Sequence, residues 1–205
     1  MQDRNEKNKK VMPKQIDVAK LERIREAAVS LISRNGSTNA SVALIAKEAG
    51  VSTGYLYRHY AGKEELLNDL LDRILTRISD RIAVLAESNG SLEEAVAAFI
   101  GYLFQTVREQ PDHVRFCLNL QNDLSCPISR QITDRIKSLC EEILRQGKEA
   151  GSIDAKITAE DLYIILLCMP LQYIGVRLRG VFGTFTCNDE EIRHVSERCL
   201  SAIKS

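Results

Sequence analysis

Apolar side chains recur at steps of three and four residues along most of the chain, which is the period of an amphipathic α-helix. No stretch shows the strict alternation that is typical of a half-buried strand. Ser91 and Glu94 have the spacing of a capping box, which marks a helix start. The pattern predicts an all-α protein of about nine helices without internal repeats. The predicted helices cover about 18–35, 42–49, 53–59, 63–85, 91–110, 111–122, 129–151, 158–180 and 188–205.

The composition fits a folded protein without a membrane span. The apolar content of 44% over 205 residues suits a soluble chain with a real core. No apolar run approaches the roughly 20 residues needed to cross a bilayer. The start, Met1 to Lys10, is polar and has no apolar segment behind it, so it does not resemble a secretory signal. We therefore expect a cytoplasmic protein with no membrane partner.

Charge is divided unevenly along the chain, although the formal net charge is zero. From Met1 to Lys63 there are twelve Lys and Arg against six Asp and Glu, about +6, so the remainder carries about −6. Residues 1–16 have almost nothing to bury and are predicted to form a disordered basic arm. A basic front half suggests a polyanionic partner, with nucleic acid as the first candidate.

Residues 41–60 have the features of a helix-turn-helix. Two short helices are expected here, with Ser41 and Ser52 as their N-caps. A small residue at Ala46 allows the helices to approach closely, and Gly50 can adopt the positive φ of the turn between them. The side chains expected to face inward are those of Leu44, Ile45, Val51 and Leu56.

The outward face of the second short helix is unusual because no acidic residue occurs between Val51 and Gly62. We interpret this face as the DNA-contacting surface, with Tyr55 reaching a base edge or a thymine methyl group, and Tyr57 reaching a phosphate. Tyr60 is expected to be a core aromatic. The candidate DNA-binding residues are Ser41, Ser52, Thr53, Gly54, Tyr55, Tyr57, His59 and Lys63.

The stretch IAKEAGVSTGYLYRHY, from Ile45 to Tyr60, together with the following KEELL at 63–67, resembles the DNA-binding signature of the TetR family of repressors. The resemblance covers roughly residues 18–70, about a quarter of the chain. Ser37 and Ala40 depart from the aromatic residue and the Thr that are usual at these positions, and Tyr60 stands where Phe is more usual.

The resemblance implies a homodimer in which the last two helices form a four-helix bundle with the partner. It also implies a ligand pocket among the middle helices, so that ligand binding changes the separation of the two DNA-reading heads and lowers operator affinity. The expected partners are a double-stranded DNA operator, a small-molecule effector and a second copy of the chain. The expected organisation is a DNA-binding domain at 17–77, with the helix-turn-helix at 41–60, and a ligand-binding and dimerisation domain at 78–205.

In the second half of the chain, residues can be assigned to a ligand pocket or a dimer interface only from their apolar character. For each of them, packing in the core of the same chain is the alternative. Because charge is scarce among the candidate pocket residues, we expect an apolar or amphipathic ligand. The candidate ligand-binding residues are Tyr102, Phe104, Phe116, Cys117, Leu120, Cys140 and Tyr163. The candidate dimerisation residues are Leu171, Ile174, Ile192, Val195, Cys199 and Ile203.

Two other functions have less support in the sequence. An enzyme would need a nucleophile and base, paired acids or metal ligands, and the chain offers no Gly-rich phosphate loop, no metal-spaced cluster and three dispersed His. We therefore predict no enzymatic activity, cofactor or metal. The alternative is a regulator that senses thiol oxidation, with Cys126, beside Pro127, as the best candidate among six cysteines. The operator, the ligand and the choice between repressor and activator stay open.

Overall fold

The computed structural model describes residues 17–87, 90–124 and 128–204. Within these ranges the chain forms nine helices and no strand, which confirms the all-α class. The predicted basic arm at 1–16 and the thiol of Cys126 lie outside the described residues. The helices are α1 (Val18–Asn35), α2 (Val42–Glu48), α3 (Thr53–Tyr57), α4 (Lys63–Glu87), α5 (Leu92–Glu109), α6 (Pro111–Asn122), α7 (Arg130–Glu149), α8 (Ala159–Leu178) and α9 (Asp189–Ile203).

Polar caps fix the helix starts where the sequence predicts them. The Asp17 carboxylate accepts a hydrogen bond from the backbone N–H of Lys20, which satisfies one of the free donors at the start of α1. Ser91 begins α5 with a complete capping box. Thr158 begins α8 with a second complete box, and Asn188 caps α9. These polar caps explain why the starts of these helices could be predicted from sequence.

The first core is formed by α1, α2, α3 and the beginning of α4. Ile24, Ile32 and Leu56 are fully buried in it. Helix α6, from the second half of the chain, adds Phe116 to the same core. The predicted division at residue 77 therefore stays a prediction, because the hydrophobic core extends across it.

The second core lies among α5, α6, α8 and α9, with Ile100, Phe104 and Ile174 fully buried. The turn between α7 and α8 is packed tightly, because Gly147 leaves no room for a side chain beside Ile153. A Cβ atom built at Gly147 would lie 2.3 Å from Cδ1 of Ile153.

Helix α8 departs from the expectation that no segment could cross a bilayer. Among the described residues, it is the one helix long and apolar enough to do so by length and composition. Within the bundle its Leu162, Leu171 and Ile174 are buried against neighbouring helices, while most of its other residues are partly buried or exposed. Residues Ile164–Cys168 form a π-helical segment, a feature that often marks a functional part of a helix.

Candidate DNA-binding surface and ligand cavity

Helices α2 and α3 and the turn between them form the predicted helix-turn-helix. The Ser41 hydroxyl accepts a hydrogen bond from the N–H of Leu44 at 3.2 Å, and the Ser52 hydroxyl accepts one from the N–H of Tyr55 at 3.1 Å. Gly50 has a φ of +65°, which is the left-handed conformation that the turn requires. Ala46 is buried at the crossing.

The prediction that Leu44 faces inward is wrong, because its side chain is 45% exposed. Helix α2 buries Ile45 and Ala46, and successive residues of an α-helix are rotated by about 100°. Leu44 therefore points away from the side that Ile45 and Ala46 share. An apolar side chain is thus present on the outer surface of the helix-turn-helix.

The outward face of α3 is open to solvent. Ser52, Thr53 and Gly54 are exposed, and Tyr57 is 56% exposed. Helix α3 ends at Tyr57, so it is two residues shorter than predicted. His59 follows its end and is half-buried.

The Tyr55 side chain is held from several sides. Its hydroxyl donates to the Asp17 carbonyl at 3.4 Å, and its ring centroid lies 4.9 Å from that of His59. The ammonium of Lys20 lies 5.6 Å from the Tyr55 ring centroid, and the guanidinium of Arg58 lies 5.8 Å from it. The contact of Lys20 with the Tyr55 ring could not be predicted from the sequence, because it joins α1 to α3 through tertiary packing and has no local sequence signal.

Lys63 is tied to the chain that precedes α2. Its Nζ atom donates to the carbonyl oxygen of Ser37 at 2.7 Å. An ammonium group has three N–H donors, so this bond leaves others for an external acceptor. Ser37 also donates from its hydroxyl to Asp123, after α6, so this region contacts both halves of the chain.

A hydrogen-bond network centred on Asp69 connects α1, α4 and the residue that follows the reading helix. Arg25 donates to Oδ2 of Asp69 at 2.8 Å, and the Tyr60 hydroxyl donates to the same atom at 2.7 Å. Burial would raise the pKa of Asp69, but the hydrogen bonds from Arg25 and Tyr60 lower it. Burial and the bond to Asp69 raise the pKa of Tyr60 to about 12. Tyr60 is a core residue, as expected.

Two adjacent cavities lie among α4 to α8. The larger, of about 570 Å³, is lined by residues of α4, α5, α7, α8 and the segments before α5 and after α7. The smaller, of about 140 Å³, lies between α4, α5, α6, α7 and α8. They share a wall formed by Leu75, Ile78, Ile136, Tyr163 and Leu167.

Five of the seven predicted ligand residues line these cavities. Tyr102, Cys117 and Leu120 line the smaller cavity, Cys140 lines the larger, and Tyr163 lines both.

Phe104 and Phe116 line neither cavity, which corrects their assignment. Phe104 is fully buried against Phe185, with ring centroids 5.0 Å apart, and Phe116 is fully buried in the first core. Because Phe104 lies two residues after Tyr102, it points to nearly the opposite side of α5.

Comparison with known proteins places the chain in a family. The family model described as bacterial regulatory proteins, tetR family, matches residues 24–70. The chain is 40% identical over 199 residues to the HTH-type transcriptional regulator PksA of Bacillus subtilis, an alignment that covers 94% of each protein. The chain belongs to the TetR family. It is a DNA-binding transcriptional regulator, like the other members of that family.

Other TetR relatives match the chain less completely. The regulator BetI of Vibrio parahaemolyticus is 37% identical over 84 residues, which span 38% of this chain and only 42% of BetI. The crystal structure of FadR from Bacillus subtilis in complex with stearoyl-CoA has the same fold, with a TM-score of 0.71. It is 22% identical, and the alignment covers 89% of this chain and 98% of that one.

In this TetR protein, five of the six predicted dimerisation residues are buried within the chain itself. Burial leaves them unavailable to a partner subunit, so their assignment to a dimer contact is corrected in favour of an intrachain core. The sixth, Ile192, is half-buried against the second core. The five buried residues are Leu171, Ile174, Val195, Cys199 and Ile203.

Other residues on the last two helices are available to a partner. Ile164 is 49% exposed and Leu178 is 37% exposed on α8, while His194 and Glu197 are exposed on α9.

The five cysteines that the structure describes give no support to thiol sensing. Burial raises the pKa of Cys117 and of Cys199 to about 11. Burial also raises the pKa of Cys140, Cys168 and Cys187. A reactive thiol needs a lowered pKa, so these side chains fit buried apolar residues. Among the described residues, no group of three or more His, Cys, Asp or Glu side chains is placed to hold a metal ion.

Proposed function

We propose that this TetR protein is a homodimeric, cytoplasmic repressor whose release from its operator is triggered by a small apolar or amphipathic ligand. The observation that carries the proposal is the cavity of about 570 Å³ beside α4. Helix α4 begins six residues after α3 and also lines both cavities, so it connects a site for a ligand to the DNA-reading helices. A ligand that alters the position of α4 would change the separation of two heads that must match half-sites one helical turn apart.

The proposed DNA contacts are divided by role. Thr53, Gly54 and Tyr57 are exposed on α3, which supports their placement against the major groove. We assign base reading to Tyr55 and phosphate contacts to Lys63, with Ser41, Ser52 and His59 at the edges of the same surface.

The proposed dimer uses the exposed sides of α8 and α9 rather than the buried residues expected from sequence. Homodimers are typical of the TetR family. Sedimentation analysis should give twice the chain mass of 23.0 kDa. A single species at the chain mass under DNA-binding conditions would refute the dimer.

An amphipathic ligand is supported by the apolar lining of the larger cavity, whose inner wall includes Val96, Phe99 and Leu166. The related fold of FadR is known with stearoyl-CoA, so long-chain acyl compounds are the first probes to use.

The test begins with selection of bound DNA from a random pool, followed by gel-shift titration on the enriched sequence. We expect a palindromic site whose half-sites are one helical turn apart, and no binding by a Thr53→Asp, Tyr57→Asp double variant. As the matched control, Thr184→Asp on the exposed loop before α9 should bind normally. Failure to enrich any sequence would overturn the DNA-binding proposal. If a panel of acyl compounds, including stearoyl-CoA, released none of the bound DNA, the ligand proposal would be refuted.

A further inference from the structure

The smaller cavity contains a buried polar atom that a purely apolar ligand would leave without a partner. Most of its lining is apolar, but Arg77, Gln110, His113 and Gln121 contribute to it. Its volume of about 140 Å³ is close to that of an engineered cavity that holds one benzene molecule, so it has room for the end group of a ligand. A long apolar chain requires the larger cavity of about 570 Å³ on the other side of the shared wall.

Gln121 presents an unpaired acceptor in this cavity. Its Oε1 atom is buried and has no hydrogen-bond partner among the described residues. An unpaired buried acceptor is destabilising, so a ligand that donates a hydrogen bond to Oε1 would gain affinity by satisfying it.

Arg77 supplies a positive charge at the same cavity. Arg77 is exposed to solvent, and its guanidinium is in none of the ion pairs found among the described residues. Burial lowers the pKa of His113, and the charge of Arg77 lowers it further, although Glu26, Asp112 and Glu22 oppose this. The lowered pKa of His113 favours its neutral form, and Arg77 is the Lys or Arg side chain that lines this cavity.

We infer that the effector is an amphipathic anion with a hydrogen-bond donor, such as a hydroxyl, close to its charged end. Arg77 binds the anion, Gln121 accepts the hydrogen bond, and the apolar chain lies in the larger cavity beyond Tyr163 and Leu167. This inference rests on the proposed function, because it specifies the ligand that controls DNA binding.

The test compares two probes of equal length and charge, 3-hydroxydodecanoate and dodecanoate, by calorimetric titration of the full-length protein. We expect the wild type to bind the hydroxylated probe about tenfold more tightly, the ratio that corresponds to one net hydrogen bond. Gln121→Leu should bring the two affinities within about twofold by weakening only the hydroxylated probe. Arg77→Gln should weaken both probes by about tenfold and leave their ratio unchanged.

Matched controls are Gln105→Leu and Arg108→Gln, which alter exposed residues that line neither cavity. Both should behave as the wild type. If Gln121→Leu does not fold, Gln121→Met replaces it in the titration, because it also removes the acceptor and keeps a side chain of similar length.

Equal affinity of the wild type for the two probes, or a preference that survives in the folded Gln121 variant, would overturn the inference. Absence of binding by either probe would also overturn it. Operator binding without effector is measured separately by gel shift, so failure of this inference is distinguishable from failure of the DNA-binding proposal.

Discussion

The guanidinium of Arg25 and the carboxylate of Asp69 meet across the α1–α4 interface, with Nε 2.8 Å from Oδ2. The Tyr60 hydroxyl donates to the same carboxylate oxygen, so the residue that follows the reading helix is joined to both helices. Helix α4 also lines both cavities. A movement of α4 would therefore be passed through Asp69 to Tyr60, next to the DNA-binding surface.

Removal of the Tyr60 hydroxyl tests this network. Tyr60→Phe should lower the free energy of unfolding by roughly 1.5–3 kcal/mol at pH 7, the usual contribution of a hydrogen bond to a charged group. The pKa of Tyr60 is raised from 10.0 to about 12 in the folded protein. Its contribution is therefore complete below pH 10 and is lost as the pH rises from 10 to 12.

Urea unfolding of the wild type and Tyr60→Phe should accordingly give a constant difference up to pH 10 and a shrinking one above it. Tyr163→Phe is the comparison variant. It removes the hydroxyl of a second tyrosine whose pKa is raised to about 12 but which is not bonded to Asp69. A Tyr60→Phe difference that does not change between pH 9 and 12 would show that the bond to Asp69 contributes little.

Helix starts could be predicted because their signals are local. Ser41, Ser52 and Ser91 each accept a hydrogen bond from a backbone N–H three residues later, so the relevant atoms are close in sequence. The turn at Gly50 is similar, since its positive φ is a property of one residue.

The partners of each apolar face could not be predicted. The periodicity of α9 shows that Val195 and Cys199 share a face, but not whether that face meets the same chain or a second one. In the structure it meets α5, which lies nearly a hundred residues earlier. The lining of the cavities could not be predicted either, because Gln121 reaches the smaller cavity only through the packing of α6 against α8.

Gly147 provides a test of close packing. An Ala side chain there would approach Cδ1 and Cγ1 of Ile153 at 2.3 and 2.6 Å, so Gly147→Ala should destabilise the protein by about 1–3 kcal/mol. Gly101→Ala is the control, because nothing lies within 4 Å of its added carbon, and it should stabilise the helix by about 0.5–1 kcal/mol. In a double-mutant cycle, Ile153→Ala should relieve much of the Gly147→Ala penalty, and simple additivity would contradict the predicted clash.

Tyr55 and Lys63 should have different effects on DNA binding. Tyr55→Ala should relax sequence preference and cost roughly 1–3 kcal/mol on the best site, because it removes a base contact and the bond to Asp17. Lys63→Ala should weaken binding to all sequences and flatten the salt dependence, as expected for a lost phosphate contact. Gel-shift titrations on specific and random DNA at two salt concentrations separate the two effects. Equal losses on both DNAs for both variants would contradict these roles.

The buried thiols should react slowly. With a pKa of about 11, Cys117 and Cys199 are thiolates in roughly one molecule per thousand at pH 8. Iodoacetamide should therefore label both at least about a hundredfold more slowly in the folded protein than in urea. Mass spectrometry of peptides can follow each site separately. Labelling of Cys117 in the native protein at the rate seen in urea would show that the thiol is accessible and its pKa unperturbed.

A larger side chain at Cys140 should block the larger cavity without altering the DNA-binding surface. Cys140 lies on α7, and Cys140→Phe adds a ring to a cavity of about 570 Å³. We expect at least a tenfold loss of affinity for the acyl probes, because the ring occupies volume that the apolar chain needs. Operator affinity without ligand should stay within about twofold of wild type, since α7 contributes no residue to the helix-turn-helix. Leu124→Phe adds a similar ring at a site that is 99% exposed and should leave both affinities unchanged. Full retention of probe binding by the folded Cys140→Phe variant would place the ligand outside this cavity.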